Sequence, residues 1–273
     1  MRSADEAAFS ALIRKIAEAA GLPLDAYKDK CLRRRIAVRM RACGAQTYSD
    51  YQVVLDRSPE EYERLKDAIT INVTRFYRNA ETWNLLRATL LDEICSEEQG
   101  EVRAWSAGCS SGEEAYTLAM LVADHWESRG RLDRLDLLTV DATDIDRQCL
   151  ERARAARYRR ESLAEVPTGL AERYFEKDGA ECRVIDRVRR RVVVHASDLS
   201  TDPPPRNDYH LILCRNVIIY FGRATQERVF TAFANALAPG GFLVLGKVET
   251  LFGPARDRLT LLDPRERIYR RAA

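Results

Sequence analysis

The sequence predicts an α/β fold with a mostly parallel sheet, a small helical domain before it and a small antiparallel insertion within it. From Val102 onward, strand patterns alternate with helical patterns, as they do in parallel sheets. Before that point, residues 1–70 show helical periodicity. At 273 residues, the chain is long enough to bury a full core and to hold two domains.

The composition excludes several classes of protein. With 44 basic and 42 acidic residues, the net charge is only +2, so no overall field favours nucleic acid. The seven cysteines form no CxxC pair, which favours a reducing compartment and argues against disulfides or a metal site. No run approaches the roughly 20 apolar residues of a membrane span, and no apolar signal segment begins the chain. We therefore expect a cytoplasmic protein that binds no metal and no nucleic acid and does not insert into membranes.

Three helices are predicted in residues 1–70. The first ends at Gly21 and Pro23, the second spans 27–42, and the third begins at the N-cap Ser58. Apolar residues recur at helical spacing in each of them. These residues are Phe9, Leu12, Ile13 and Ile16 in the first helix, Leu32, Ile36 and Met40 in the second, and Tyr62, Leu65 and Ile69 in the third.

The second helix carries an excess of positive charge. Seven bases stand against Asp25 and Asp29. One interpretation is a solvated face, which is the usual reason for a charge run on a helix. The other is a docking surface for an acidic helix of a partner. The arginines that would form it are Arg33, Arg34, Arg35, Arg39 and Arg41.

A polar segment separates the helical part from the α/β part. Asn72 and Thr74 interrupt an apolar run, and a helix through Trp83 and Leu90 follows. Both polar residues fit turn and capping positions, but their place between two domains also makes them lid candidates. We expect a helical domain at 1–70, a linker and lid at 71–100, and an α/β domain at 101–273 with the insertion near 158–197.

The turn after the first strand is the candidate ligand site. Gly108 and four other small residues at 107–112 keep side chains out of it, so a ligand can approach the backbone amides. An ordinary βα turn is the alternative, because a short glycine-rich loop is a weak signal. Glu113 and Glu114 suit the helix dipole but would repel a diphosphate. The expected ligand therefore carries hydroxyls or positive charge, and S-adenosylmethionine has both.

The next predicted strand, residues 135–140, leads to acidic residues at the same edge of the sheet. Asp144 lies at its carboxyl end, where open α/β sheets bind ligands. A carboxylate there accepts hydrogen bonds from both ribose hydroxyls, so Asp144 is the ribose candidate. Asp146 fits the N-cap of the following helix. The spacing from the glycine turn is longer than in dinucleotide-binding folds, so a NAD site is a poor match.

Residues 158–197 depart from this alternation of strands and helices. Runs around Val184 and at 192–194, with a turn at 177–179, predict a small antiparallel sheet, and the alternative is a decorated crossover connection. Asp198 and Leu199 follow the last of these runs.

A further buried strand is predicted at 211–221. Its end carries Arg215, Asn216 and Tyr220, and a polar pair among aliphatic residues needs partners. The last two strands are predicted at 242–246 and 267–270.

Six ordered motifs cover nearly all of the chain. They are the basic helix, Asn72-Val-Thr-Arg-Phe-Tyr-Arg78, Trp105-Ser-Ala-Gly-Cys-Ser-Ser-Gly-Glu-Glu114, Ala142-Thr-Asp-Ile-Asp146, Cys214-Arg-Asn-Val-Ile-Ile-Tyr-Phe221 and Leu237-Ala-Pro-Gly-Gly241. In these motifs the chain resembles the CheR family of chemotaxis-receptor glutamate methyltransferases. The resemblance implies a class I S-adenosylmethionine-dependent methyltransferase fold, Rossmann-like with a seven-stranded sheet, behind a small helical domain.

The resemblance also implies the site residues. Those nearest the transferred methyl group would be Arg78 and Tyr220. Cofactor contacts, to which the residue analysis adds Gly108, would come from Asn72, Thr74, Arg78, Glu114, Asp144, Asp198, Leu199, Arg215 and Asn216.

The function implied by the resemblance is transfer of a methyl group from S-adenosylmethionine to glutamates in cytoplasmic helices of chemoreceptors, with S-adenosylhomocysteine as product. We expect the enzyme to be a monomer. Two departures from the family pattern matter: Ala115 replaces a usual proline, and residues 247–250, Lys-Val-Glu-Thr, replace a usual His-Ser-Glu-Ser. The second departure favours an alternative acceptor, another protein or a small-molecule carboxylate. A non-catalytic cofactor-binding scaffold is the third interpretation. The short turn at 177–180 favours an enzyme that uses no receptor C-terminal tether.

Overall fold

The computed structural model describes residues 2–70, 72–98 and 100–272, with side chains from Asp5 onward. Two compact units are distinguished. The helical unit comprises Met1–Asn72 and Tyr220–Thr225, and the sheet unit comprises Val73–Ile219 and Gln226–Ala273. Ile71, at the predicted boundary between the helical domain and the linker, lies outside the described residues.

Four helices build the helical unit: α1 (Arg2–Ala20), α2 (Asp29–Ala42), α3 (Tyr48–Arg57) and α4 (Pro59–Thr70). Their facing sides bury Leu12, Ile36 and Leu65 almost completely, as the apolar rows predict. The sequence analysis did not predict α3. It begins with a capping box in which Thr47 accepts the Asp50 N–H and Asp50 accepts the Thr47 N–H.

A short segment from the second half of the chain completes the helical unit. Tyr27 and Phe221 form an isolated antiparallel bridge, and their rings meet edge to face at 5.3 Å. The Lys28 N–H donates to the Tyr220 carbonyl at 2.8 Å, and the Gly222 N–H donates to the Ala26 carbonyl at 2.8 Å. Residues 220–225 therefore belong with α2 in structure, although they follow the seventh strand in sequence.

Alternating strands and helices build the sheet unit. Its strands are β1 (Val102–Ala107), β2 (Leu138–Asp144), β3 (Arg157–Arg159), β4 (Phe175–Asp178), β5 (Glu181–Val184), β6 (Val192–Ala196), β7 (Tyr209–Cys214), β8 (Leu237–Leu245), β9 (Leu259–Asp263) and β10 (Ile268–Arg271). Its helices are α5 (Ala80–Leu85), α6 (Leu91–Ile94), α7 (Glu113–Glu127), α8 (Arg147–Ala155), α9 (Thr168–Tyr174), α10 (Asp186–Arg189) and α11 (Arg223–Ala236), with a π-helical turn (Leu86–Leu90) joining α5 to α6. The first three residues of α11 are grouped with the helical unit.

The main sheet has seven strands in the order β6-β2-β1-β7-β8-β10-β9, and a second sheet has the order β3-β5-β4. In the main sheet β10 runs antiparallel to both of its neighbours, and the other pairs are parallel. The small sheet is antiparallel throughout. The predicted fold class, a seven-stranded mostly parallel sheet with a small antiparallel insertion and a helical N-terminal part, is confirmed.

Two predicted strands were placed wrongly. Residues 135–137 belong to a 3₁₀ helix (Leu132–Leu137), and the strand begins at Leu138 because its parallel partner β1 begins opposite it, at Val102. Residues 192–194 were expected in the antiparallel insertion. They form β6 instead, parallel to β2 in the main sheet, because α10 returns the chain before this strand starts.

One further predicted strand is too long, and one strand was not predicted. The strand predicted at 211–221 ends at Cys214, because Asn216 adopts a left-handed conformation with φ +64° and a 3₁₀ turn follows. The edge strand β9 was not predicted.

The core lies mainly between the main sheet and α7, most of whose residues are buried. Among the described helices, none has the length and apolar character needed to cross a membrane.

Candidate active site

Five neighbouring strands of the main sheet end at one edge. β6, β2, β1, β7 and β8 lie side by side and run parallel. The segments that follow them therefore meet at the carboxyl edge, where open α/β sheets bind ligands. Four of the predicted cofactor residues end or follow these strands: Gly108, Asp144, Asp198 and Arg215.

The turn after β1 has the tight geometry that its small residues predict. Gly108 and Gly112 adopt left-handed conformations with φ +80° and +94°. A Cβ atom on Gly108 would lie 2.5 Å from a methyl carbon of Val217, a distance that side chains do not tolerate. Glycine at position 108 therefore lets the turn approach the loop that follows β7.

The amides of this turn are bound by the chain itself. The N–H groups of Gly108 and Cys109 donate to the Thr143 carbonyl at 2.8 and 2.9 Å. The Ser110 N–H donates to Asp144 Oδ2 at 2.8 Å. These three amides are therefore already engaged, which agrees with a ligand that carries hydroxyls or positive charge rather than a diphosphate.

Asp144 ends β2 with its carboxylate half-buried. Oδ2 accepts the Ser110 N–H and Oδ1 accepts the Asp146 N–H at 3.0 Å. Burial raises the pKa of Asp144, and these backbone donors oppose the shift. Two carboxylate oxygens offer about four acceptor sites, so the carboxylate retains capacity for ligand hydroxyl groups.

Glu114, in the first turn of α7, is the second acid of the site. Its Oε1 accepts the Ser106 hydroxyl at 2.9 Å, and its Oε2 accepts Arg215 Nη1 at 3.3 Å. Burial raises the pKa of Glu114, and the positive charges of Arg215 and Arg78 oppose that shift. The two arginines therefore act on the same carboxylate.

Arg215 connects this carboxylate to the segment before α5. Its side chain is only 3% exposed, and its Nη2 donates to the Arg78 carbonyl at 2.8 Å and to Asn79 Oδ1 at 3.1 Å. The guanidinium lies 5.3 Å from the ring centre of Trp83, whose indole N–H also donates to the Arg78 carbonyl. Within the described residues, Arg215 Nε is buried without a hydrogen-bond partner.

The segment that carries Arg78 has an unusual backbone. Tyr77 and Asn79, on either side of Arg78, are left-handed with φ +58° and +61°. Such conformations cost about 1–3 kcal/mol each and cluster at functional sites. The Arg78 side chain donates from Nη1 to the Val73 carbonyl at 3.0 Å. Arg78 therefore lies between two strained residues, and its guanidinium is bound to the backbone five residues earlier.

The remaining predicted residues of the sheet unit lie in loops. Asp198 and Leu199 follow β6 after one intervening residue and are partly buried, and Asp198 Oδ1 accepts the Ser200 N–H at 2.8 Å. Asn216 follows Arg215, and its N–H donates to Glu249 Oε2 at 3.0 Å. Thr74 lies near the start of the unit, partly buried.

Family comparison agrees with this arrangement. Residues 7–70 match the model of the CheR methyltransferase all-alpha domain, and residues 72–267 match the CheR methyltransferase SAM binding domain. The chain belongs to the CheR methyltransferase family. Its cofactor is S-adenosylmethionine, as predicted.

Three relatives illustrate the range of the family. A chemotaxis protein methyltransferase of Listeria monocytogenes is 31% identical over 89% of this chain and 90% of its own length. The Escherichia coli K12 protein of the same name is 32% identical over 94% of this chain and 88% of its own. An uncharacterised 104.1 kDa protein in the hypE 3' region of Rhodobacter capsulatus is 33% identical over 89% of this chain, which spans only 25% of that protein.

Solved structures resemble the chain less closely. The SAM-bound amino pentose methyltransferase CalS10 from Micromonospora echinaspora is 20% identical, with a TM-score of 0.34 over 66% of this chain and 58% of its own. The family match and the strand order, and not these structures, identify the fold of this CheR family member.

The residues at the carboxyl edge fit S-adenosylmethionine. Asp144 has acceptor capacity for ribose hydroxyls, and Glu114 offers a carboxylate for a positively charged group. The turn amides of Gly108 and Cys109 are engaged, so they do not demand an anion.

Two predicted site residues of this CheR chain lie in the helical unit. Asn72 and Tyr220 are both grouped there. The Tyr220 ring centre lies 5.1 Å from the guanidinium of Arg35, and the Tyr220 carbonyl accepts the Lys28 N–H. Tyr220 is thus held by α2 and the residue before it.

The five arginines predicted as a docking surface have different surroundings. Arg33 pairs with Glu6 and lies over the Phe9 ring. Arg35 donates to the Ala68 carbonyl. These two side chains, together with that of Arg39, which binds Glu61 through two nitrogens, contribute to the helical unit itself. The exposed members of the set are Arg34 and Arg41.

Lys247, the departure beside the site, is held by acidic neighbours. Its Nζ lies 3.0 Å from Glu266 Oε1 and 3.4 Å from Glu81 Oε2, and Glu266 also accepts the Thr82 hydroxyl. The hydrogen bond to Glu266 raises the pKa of Lys247. The ammonium group thus joins the loop after β8 to α5 and to the residues before β10.

The sequence analysis missed two residues that organise the site. Ser106 donates to Glu114, and a serine among the apolar residues at 104–107 was the signal that could have found it. Glu249 receives several backbone N–H groups of the loop after Arg215. That role leaves no trace in spacing, because its partners are backbone atoms about 30 residues away.

Proposed function

We propose that the protein transfers the methyl group of S-adenosylmethionine to side-chain carboxylates of glutamates in the cytoplasmic helices of chemoreceptors. The products are glutamate methyl esters and S-adenosylhomocysteine. Membership of the CheR methyltransferase family and the names of the Listeria and Escherichia relatives support the role in chemotaxis. The structural observation that carries the proposal is the cluster of Arg78, Glu114 and Arg215 at the carboxyl edge of the sheet.

This cluster suits a reaction that needs no general base. A glutamate side chain in water has a pKa of about 4.3, so the acceptor is already an ionised nucleophile at neutral pH. When bound, S-adenosylmethionine supplies a methyl group activated by a positively charged sulfur. The protein must then orient the acceptor carboxylate and exclude water. The three histidines are occupied elsewhere, by Asp92, by Asp141 and by the Arg103 amide.

Arg78 is the residue we assign to the acceptor carboxylate. A guanidinium has five N–H donors, and the contact with the Val73 carbonyl uses one of the groups on Nη1. A strong ion pair would weaken the nucleophile, so orientation by hydrogen bonding should dominate over charge neutralisation. Tyr220 is assigned a supporting role on the sequence resemblance, which predicts it near the methyl group.

The proposal is tested by methyl transfer to receptor fragments. Labelled S-adenosylmethionine is incubated with the protein and a receptor cytoplasmic fragment, and with the same fragment carrying glutamine at its methylation positions. Base-labile label in the first fragment and not in the second is the expected result. Label on other proteins or small carboxylates alone would indicate the alternative acceptor, and binding without transfer would indicate a scaffold.

Replacing Asp144 with alanine should weaken S-adenosylmethionine binding by about 10-fold or more, because hydrogen bonds to a charged group contribute about 1.5–3 kcal/mol. Calorimetric titration of the cofactor measures the effect. Asp133→Ala is the matched control, since Asp133 is 71% exposed and precedes β2 at the opposite end. Equal affinity in the Asp144 variant and the control would refute the ribose assignment.

Arg78→Ala and Tyr220→Phe should each lower turnover by about 10-fold or more while changing cofactor affinity much less. The reason is that both residues are assigned to hydrogen bonds with the acceptor carboxylate, and a hydrogen bond to a charged group contributes about 1.5–3 kcal/mol. Steady-state kinetics and cofactor titration separate the two effects. Arg75→Ala is the control for Arg78, since Arg75 lies on the same segment, 58% exposed and paired with Glu165. A loss confined to cofactor affinity would contradict the assignment.

The partner is proposed to be the receptor helix alone. The turn between β4 and β5 has only two residues, Gly179 and Ala180, between the paired Asp178 and Glu181. Such a short turn supports an enzyme that needs no receptor C-terminal tether. We propose separately that the enzyme acts as a monomer in the cytoplasm. Exposed Arg34 and Arg41 are the proposed contacts for acidic residues of the receptor helix, and contacts of this kind affect encounter more than chemistry.

A further inference from the structure

Glu249 is a buried carboxylate surrounded by backbone donors. It lies in the loop after β8 with 3% of its surface exposed. Five N–H groups donate to it, at distances from 2.6 to 3.3 Å. The donors are Asn216, Val217, Ile218, Ile219 and Gly246.

Four of these donors are consecutive and belong to the loop that begins at Arg215. Backbone N–H groups that converge in this way form an anion-binding nest. Here the anion is a side chain of the protein. Among the hydrogen bonds and ion pairs of the described residues, no basic side chain contacts it. One carboxylate therefore accepts the N–H groups of four consecutive residues of this loop.

The surrounding backbone is adapted to this carboxylate. A Cβ atom on Gly246 would lie 2.7 Å from Glu249 Oε2 and 2.8 Å from the Asn216 nitrogen. Only glycine lets the end of β8 approach both atoms. Asn216, whose N–H is one of the donors, adopts its left-handed conformation at this point.

We infer that Glu249 is a positioning residue for methyl transfer, which holds the 215–219 loop so that Arg215 and Asn216 face the carboxyl edge of the sheet. The inference rests on the proposed function, because it assigns the loop to that reaction. Glu249 itself contacts loop amides and is not a catalytic residue. Replacing Glu249 would free these loop amides, while the side chains of Arg215 and Asn216 would themselves be unchanged.

Chemical rescue tests this role. Glu249→Ala removes the carboxylate and leaves the N–H groups facing a space that formate can occupy. Glu249→Gln fills the same space but directs an amide NH₂ toward backbone donors. We expect both variants to lose roughly 100-fold in kcat/KM, the effect that a misplacement of about 1 Å can have. Sodium formate should restore at least a tenth of the activity of the alanine variant, and sodium chloride at equal ionic strength should not. The glutamine variant should not respond to formate.

Glu61→Gln is the control for loss of stability alone. Glu61 is as buried as Glu249, at 2% exposure, but it lies in the helical unit and pairs with Arg39. Its variant should melt at a lower temperature while the folded protein keeps kcat/KM within about 3-fold. A Glu249→Gln variant that is folded and keeps activity within the same limit would overturn the inference, as would a failure of formate to act on Glu249→Ala.

Two readouts do not depend on the acceptor. Formate should raise the melting temperature of Glu249→Ala and not that of the wild type, and it should tighten S-adenosylmethionine binding by that variant. These results hold even if the acceptor is not a receptor glutamate, so failure of the proposed function is distinguishable. If Glu249→Ala does not fold in chloride, refolding in formate replaces the assay, and equal yields in the two salts would overturn the inference.

Discussion

Arg215→Met is expected to lower the free energy of unfolding of the sheet unit by roughly 3–5 kcal/mol, the effect of removing one partner from a buried ion pair. The Glu114 carboxylate would lose its closest cation, and the Arg78 carbonyl and Asn79 would lose a donor. Methionine fills similar space against Trp83, so lost charge and hydrogen bonds dominate the effect. Cofactor binding should weaken together with stability.

Urea unfolding followed by tryptophan fluorescence measures this loss. All three tryptophans, Trp83, Trp105 and Trp126, lie in the sheet unit, so the signal reports that unit. Arg215→Lys, which keeps the charge but not the planar fork, should lose less. Exposed Arg256 provides the control, because Arg256→Met should change stability by no more than about 0.5 kcal/mol.

The same variant should show a characteristic pH dependence. Burial raises the pKa of Glu114 in the folded state above its ordinary 4.5, and loss of Arg215 raises the pKa further. A group with a raised folded pKa contributes stability below the unfolded pKa and loses it as the pH rises. The deficit of Arg215→Met relative to wild type should therefore be smallest at low pH, where Glu114 is protonated in both folded proteins, and should grow as the pH rises through the raised pKa of Glu114. A deficit independent of pH would show that the hydrogen bonds to the Arg78 carbonyl and Asn79 or the packing, and not the Glu114 charge, are responsible.

Arg39→Met is expected to destabilise the helical unit by about 3 kcal/mol. Arg39 binds Glu61 with Nε and Nη2 at 2.9 and 2.6 Å, and Tyr51 donates to the same carboxylate at 2.7 Å. The expected loss is at the low end for a buried pair because Arg39 is 20% exposed while Glu61 is buried. Circular dichroism should detect early loss of helix, while the tryptophan transition of the sheet unit remains unchanged.

The exposed arginines of α2 should behave differently. Charge reversal of Arg34 and Arg41 together should raise the KM for the receptor fragment steeply, more so at low salt, and leave stability within about 0.5 kcal/mol. Activity that changes with neither salt nor these substitutions would show that this side of α2 is only a solvated face.

Unchanged stability of the Arg39→Met variant would show that the pairing of Arg39 with Glu61 contributes little.

Elements with a strong local pattern could be predicted from the sequence, and elements defined by their partners could not. Alternating strands and helices from Val102 onward were sufficient for the fold class. Residues 192–194 were recognised as a strand but assigned to the wrong sheet, since periodicity identifies a strand and not its neighbour. Residues 135–137, Leu-Asp-Leu, alternate apolar and polar side chains as a strand does, yet β2 starts only opposite Val102.

The candidate site divides in a similar way. Asp144, Glu114 and Gly108 stand out by residue type and position at the carboxyl edge of the sheet. The link from Arg215 to the Arg78 carbonyl joins residues 137 positions apart, and no spacing in the sequence announces it. The role of Glu249 could not be predicted for a further reason, because its donors are backbone amides, which every sequence contains.

The discontinuity of the helical unit has a consequence for synthesis of the protein on the ribosome. Its four helices emerge first, but the segment that pairs with Tyr27 and Lys28 is made only when residues 220–225 appear, after seven strands of the sheet unit. The nascent helical unit therefore lacks its bridge to Phe221 while most of the chain is translated. A fragment ending at residue 72 would remain in that incomplete state, and residues 220–225 supplied as a separate peptide would offer it the missing bridge.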